Sequence, residues 1–203
     1  MQRQKHTLSS IYSEEEARIL NPWQNLRQRL LLPVAQLLVR LGISPDILSY
    51  SSVLFCVGFF LLAPLYYTIA FWLLIASVIC DGLDGVEARL IGKNTARGGF
   101  TDMFCDQTGL VFVVAGMAWR NALNPVLALF FVYVYTALVI FLLLHQLLQV
   151  SSRWIIRPSR MLFYCFIALD FFFNINLLNA LLTLYLLALP LLALSFWRLR
   201  NSL

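Results

Sequence analysis

YTIAFWLLIASVICDGLDGVEARLIGKNTARGGFTDMFCD, residues 67–106, begins as hydrocarbon and ends as acid. Its first third carries no charge, as a membrane helix requires; five carboxylates then crowd into residues 81–106. Asp81, Asp84, Gly85 and Ala88 are related by i, i+3, i+4 and i+7, so they share one helix face. Gly98, Asp102 and Asp106 repeat by i, i+4 and i+8, which gives the next helix a face of its own. A short link over 92–97 would let the two helices point four acids at one another. Carboxylates so placed near a membrane stay ionised only if cations sit between them. Oxygen donors suit Mg²⁺ or Mn²⁺, and Asp81, Asp84, Asp102 and Asp106 are enough for two ions.

Outward from that stretch the chain is mostly apolar. It has 203 residues, of which 61% are hydrophobic, which excludes an ordinary soluble domain. A spanning helix needs about 20 apolar residues. The pattern predicts six spans, roughly 46–64, 67–91, 98–119, 124–149, 160–175 and 177–197. Residues 24–41 differ, with Arg27, Arg29 and Arg40 set among leucines. Three arginines are costly in hydrocarbon, so this segment is expected to lie at the interface as an amphipathic helix; a seventh span is the alternative. The expected fold is therefore an all-α integral membrane protein with six transmembrane helices and an N-terminal interfacial helix. It forms one domain over 1–203, with 1–44 cytoplasmic or interfacial and 45–200 the helical bundle. No cleavable secretory signal is expected, since residues 1–20 carry Glu14, Glu15 and Glu16 and no apolar core.

Charge orients the spans. With the N-terminus in the cytoplasm, fourteen of the fifteen basic residues fall on the inner side and only Arg120 faces out. The acids then open toward the cytoplasm. A net charge of +5 is read as a membrane-surface effect, and no nucleic-acid partner is expected. Cys56, Cys80, Cys105 and Cys165 are dispersed, and read as packing residues with no disulfide. Glu87 lies off the Asp81 face and is expected to pair with a nearby Lys or Arg. Asp170 is expected in a solvated outer turn. His145 reads as a buried histidine satisfied by a backbone carbonyl, or as a cavity residue.

The spacing Asp-x2-Asp-Gly-x2-Ala-Arg-x8-Gly-x3-Asp-x3-Asp resembles the signature of the CDP-alcohol phosphotransferases, integral membrane enzymes of phospholipid synthesis. All eight signature residues are present: Asp81, Asp84, Gly85, Ala88, Arg89, Gly98, Asp102 and Asp106. Upstream, Pro45-Asp46-Ile47-Leu48-Ser49 is similar to the family's Pro-Asn/Asp-x-x-Thr/Ser element. Asp46 stands where many relatives carry Asn, and Ser49 where many carry Thr, so fine specificity is open there.

The resemblance implies transfer of a phosphatidyl group from a CDP-alcohol, most simply CDP-diacylglycerol, to a small alcohol with release of CMP. It implies two Mg²⁺ or Mn²⁺ ions, a homodimer, and Asp106 as the base that takes the acceptor proton. Asp46, Ser49 and Thr95 are implied as nucleotide contacts. Arg89 suits the diphosphate as a forked donor. Gly85 and Gly98, and Ala88 in milder form, would let helix backbones or a flat cytosine ring approach closely. Arg153, Arg157 and Arg160 could bind an acceptor phosphate or simply anchor the chain at anionic lipid. Glycerol 3-phosphate, inositol or inositol phosphate, and serine all remain open as acceptors, as does a soluble donor of the CDP-choline or CDP-ethanolamine type. Other classes weighed are an ion or proton transporter, since intramembrane acids also mark ion paths, and an inactive scaffold.

Overall fold

The computed structural model describes residues 29–92, 95–148 and 160–202, and among them every regular element is helical. Helix α1 covers 29–40. It is followed by α2 (Pro45–Leu62), α3 (Tyr67–Leu90), α4 (Ala96–Trp119), α5 (Pro125–Leu147) and α6 (Arg160–Phe173). Helix α7 (Leu178–Tyr185), one 3-10 turn (Leu186–Ala188) and α8 (Leu189–Ser202) follow one another without a break. Prolines sit at the first position of α2 and α5, where the missing N–H is not needed. Asn124 caps α5, its Oδ1 accepting from the backbone N–H of Val126 at 2.9 Å and Leu127 at 3.3 Å.

Helices lie where six spans are expected, but among the described residues only four are long and apolar enough to cross a bilayer. These are Pro45–Leu62, Tyr67–Leu90, Pro125–His145 and Leu178–Asn201. The other two fall short for different physical reasons. Helix α6 has 14 residues, about 21 Å of rise against a hydrocarbon layer of about 30 Å. Helix α4 is 24 residues long, but Arg97, Asp102 and Asp106 load its first half with charge. Helix α1 is not among the four, and its surface is apolar on two sides. Ala35 is buried, while Leu30, Val34, Leu37 and Leu41 are exposed at helical spacing.

The chain divides into two compact units, one taking residues up to Phe55 with Ile75–Asp106, the other Cys56–Leu74 with Gln107–Leu203. In the first, Ala35 of α1, Leu48 of α2, and Leu83 and Val86 of α3 form a core. Leu31, Leu32, Leu38 and Ile43 close over it. This packing fixes the register of α2 against the acidic half of α3.

In the second unit α5 packs on α7 and α8, with Val134, Leu138 and Leu192 at the centre. Aromatic rings do much of the remaining packing. Phe71 stacks on Phe171 at 4.0 Å, and Phe131 meets Tyr185 edge-on at 4.8 Å. One polar cluster is set among them. Arg120 pairs with Asp170 at 3.0 Å, the Tyr67 hydroxyl donates to the same carboxylate at 2.9 Å, and the guanidinium lies 3.5 Å from the centre of the Tyr67 ring. Asp170 is thus not in a solvated turn. It is a buried residue of α6 that holds Arg120. Sequence spacing gave no sign of this, because the partner is fifty residues away.

Close helix approach in this unit uses Gly58, Gly109 and Gly116. A Cβ on Gly116 would stand 3.0 Å from the Phe59 ring and 3.1 Å from the Phe60 Cα, which is backbone and cannot swing aside. Gly116→Ala is therefore expected to cost about 1–3 kcal/mol, read as a lower unfolding midpoint in detergent. An unchanged midpoint would mean that α2 shifts freely.

His145 is fully buried and its Nε2 lies 3.0 Å from the Ser195 Oγ. The partner is a hydroxyl of α8, not a backbone carbonyl, and among the described residues Nδ1 has no hydrogen-bond partner.

Candidate metal centre

Two helices supply the acids. Helix α3 runs apolar to Cys80 and then turns polar, so Asp81, Asp84, Gly85 and Ala88 come round on successive turns. Its end is a glycine with φ +63°, Gly92, a conformation that favours residues without a Cβ. Helix α4 starts after Thr95, whose Oγ1 accepts from the Gly98 N–H at 3.1 Å as an N-cap. Thr95 is one of the residues expected at the nucleotide. The open N–H groups of the first turn of α4 favour negative charge nearby.

Asp81, Asp102 and Asp106 meet. Each offers one carboxylate oxygen, and the three oxygens lie within 4.8 Å of one another; all three residues are half-buried. Oxygens on one octahedral Mg²⁺ lie at most about 4.2 Å apart, so small side-chain rotations bring this set to coordination distance. Hard oxygen donors with no nitrogen or thiolate among them fit Mg²⁺ or Mn²⁺. The three residues could hold a metal ion.

Asp84, the fourth expected ligand, stands apart from that trio. It is 5% exposed, and its Oδ2 accepts a 2.6 Å hydrogen bond from the Ser49 hydroxyl. The charges of Asp102 and Asp81 still act on it, so it belongs to the same neighbourhood. Asp46, in the first turn of α2, acts with Asp84, Asp102 and Asp106 on the buried Cys105 thiol. The sequence spacing located the acids but missed the hydroxyl that engages one of them. Asp46 and Ser49, three apart on α2, were the only available signal.

Among the described residues, a Cβ on Gly85 would meet only the Arg89 guanidinium at 3.7 Å, and one on Gly98 only the Thr95 Oγ1 at 3.4 Å. Neither glycine therefore lies against another helix's backbone among those residues. Ala88 is half-buried and Arg89 exposed on the same turn.

Glu87 is 1% exposed, one turn beyond Leu83 on the buried side of α3, and among the described residues its Oε2 has no hydrogen-bond partner. Lys93, the nearest lysine in the sequence, lies outside the described residues. Arg160 opens α6. Arg153 and Arg157 lie outside the described residues.

A family model described as CDP-alcohol phosphatidyltransferase matches residues 42–197. No curated protein and no solved structure matches the chain.

Proposed function

The chain belongs to the CDP-alcohol phosphatidyltransferase family, and from that premise we propose that it transfers a phosphatidyl group from CDP-diacylglycerol to a small alcohol, releasing CMP. Membership itself implies an integral membrane transferase of phospholipid synthesis with a CDP-alcohol donor and an alcohol acceptor. The observation that carries the finer reading is the convergence of Asp81, Asp102 and Asp106 within 4.8 Å. Asp84 is counted with them as a fourth ligand.

Mg²⁺ or Mn²⁺ bound by these carboxylates would neutralise the diphosphate and stabilise charge on the departing oxygen. The chain's own groups do the rest. Arg89 binds diphosphate oxygens with its forked donors. Gly85, Ala88 and Gly98 leave room for the cytosine ring and ribose. Asp46 and Thr95 supply hydrogen bonds to the nucleotide. Asp106 takes the proton of the acceptor hydroxyl as that oxygen attacks phosphorus. A carboxylate that also holds a cation is a weak base, so close positioning supplies part of the effect.

Arg153, Arg157 and Arg160 are proposed for the acceptor, which favours a phosphorylated alcohol such as glycerol 3-phosphate or inositol phosphate. The excess of basic residues on one side supports a cytoplasmic opening, and α1, with its exposed leucines, suits the interface between headgroups and acyl chains. A homodimer is proposed from the family resemblance.

The test uses purified protein, radiolabelled CDP-diacylglycerol, Mg²⁺ or Mn²⁺, and a panel of alcohols. One labelled lipid product, formed with stoichiometric CMP and lost on chelation, is expected. Ion flux in vesicles with no CMP formed would instead make the acids a conduction path.

A further inference from the structure

We infer that Ser49 is a positioning residue that holds the buried carboxylate of Asp84 in the orientation a divalent cation needs. The inference rests on the metal-dependent reading above and assigns Ser49 a task other than touching the nucleotide.

A hydroxyl has one proton to give. Two acceptors are near the Ser49 Oγ, the Asp84 Oδ2 at 2.6 Å and the Pro45 carbonyl at 3.3 Å. The shorter distance is that of a charge-assisted O–H···O⁻ bond, whereas the longer is at the edge of bonding. The proton therefore goes to Asp84. Both residues are buried, 4% and 5% exposed, so water does not compete for either.

Packing on both sides fixes the distance. Leu48, next to Ser49, lies in one core with Leu83 and Val86, which flank Asp84. The Ser52 hydroxyl donates to the Ser49 carbonyl at 3.0 Å, and so ties down that turn of α2. The Gly85 backbone N–H also donates to this carboxylate, so Asp84 is held from two sides and cannot swing away from the side of α3 that carries Asp81, while its oxygens keep lone pairs for a cation. This explains why Asp84 stands outside the trio of converging oxygens yet within reach of their charges. Partners of metal ligands typically influence affinity by 10–100-fold.

The experiment is a Mn²⁺ titration of the purified full chain without nucleotide, followed by the electron paramagnetic resonance signal of free Mn²⁺. Ser49→Ala is expected to weaken Mn²⁺ binding about 10–100-fold, and Ser49→Thr, which keeps the hydroxyl, to restore it. In an Asp84→Asn background, Ser49→Ala should add no further loss. Wild-type Mn²⁺ affinity in Ser49→Ala, with only the KM for CDP-diacylglycerol raised, would overturn the inference and make Ser49 a nucleotide contact. Equal losses in both backgrounds would overturn it too, since the effect would not pass through Asp84. A wild-type chain that binds no Mn²⁺ would remove the metal-dependent reading itself. If Ser49→Ala does not accumulate folded, Ser49→Cys, close in volume and a weak donor, is judged by the same criteria.

Discussion

Asp106→Asn should lower the rate of CMP release by about 10³-fold or more, while the protein accumulates and still binds CDP-diacylglycerol. The substitution keeps shape and helix propensity but replaces a proton acceptor with an amide that cannot take one. Asp106 sits in the middle of α4, one turn beyond Asp102, half-buried and within 4.8 Å of two other acids. Two losses are combined in the variant, a cation ligand and a base, and excess Mn²⁺ separates them. A deficit that high Mn²⁺ repairs belongs to ligation; one that persists belongs to proton transfer. Single-turnover release of labelled CMP, measured beside CDP-lipid binding, is the check. Retained turnover would remove Asp106 from the reaction.

Asp170→Ala should destabilise the second unit by about 3 kcal/mol. The change strands the Arg120 guanidinium, whose side chain is only 30% exposed, beside apolar rings. It also takes the acceptor from the Tyr67 hydroxyl. Tyr67→Phe alone should cost only about 1 kcal/mol, because the ion pair persists. Removing both charges in Arg120→Ala with Asp170→Ala should cost less than the sum of the single losses, since no unpaired charge is left behind. Denaturant unfolding of the four proteins gives the coupling. Additive losses would mean that the pair is solvated and structurally idle.

The helices were legible because their hydrophobic runs are long and the acids repeat at helical spacing, which is how Asp81, Asp102 and Asp106 could be brought together on paper. Periodicity says which way a side chain faces along its own helix. It is silent on what the next helix brings to it. The family resemblance puts Ser49 at the nucleotide, and nothing in its spacing names Asp84 as its neighbour. Glu87 lies off the Asp81 face in the sequence, but only the fold shows that α3 turns it into the core. Asp170 read as solvated because Asn174 and Asn176 follow it, while the helix runs on to Phe173 and buries it first. Gly85 and Gly98 read equally as packing or ligand glycines, and only the space around a notional Cβ divides the two. The six-span count failed to settle for a similar reason: α6 is too short and α4 too charged to be judged by composition alone.

Arg120 and Asp170 are fifty positions apart, so the ribosome delivers the cation well before the anion. At roughly 5–20 residues per second, about 3–10 seconds separate the two. The neutral clasp can close only once α6 has emerged, which makes assembly of that half of the molecule a late event in biogenesis, and leaves a nascent chain truncated before Asp170 with a stranded charge for quality control to find.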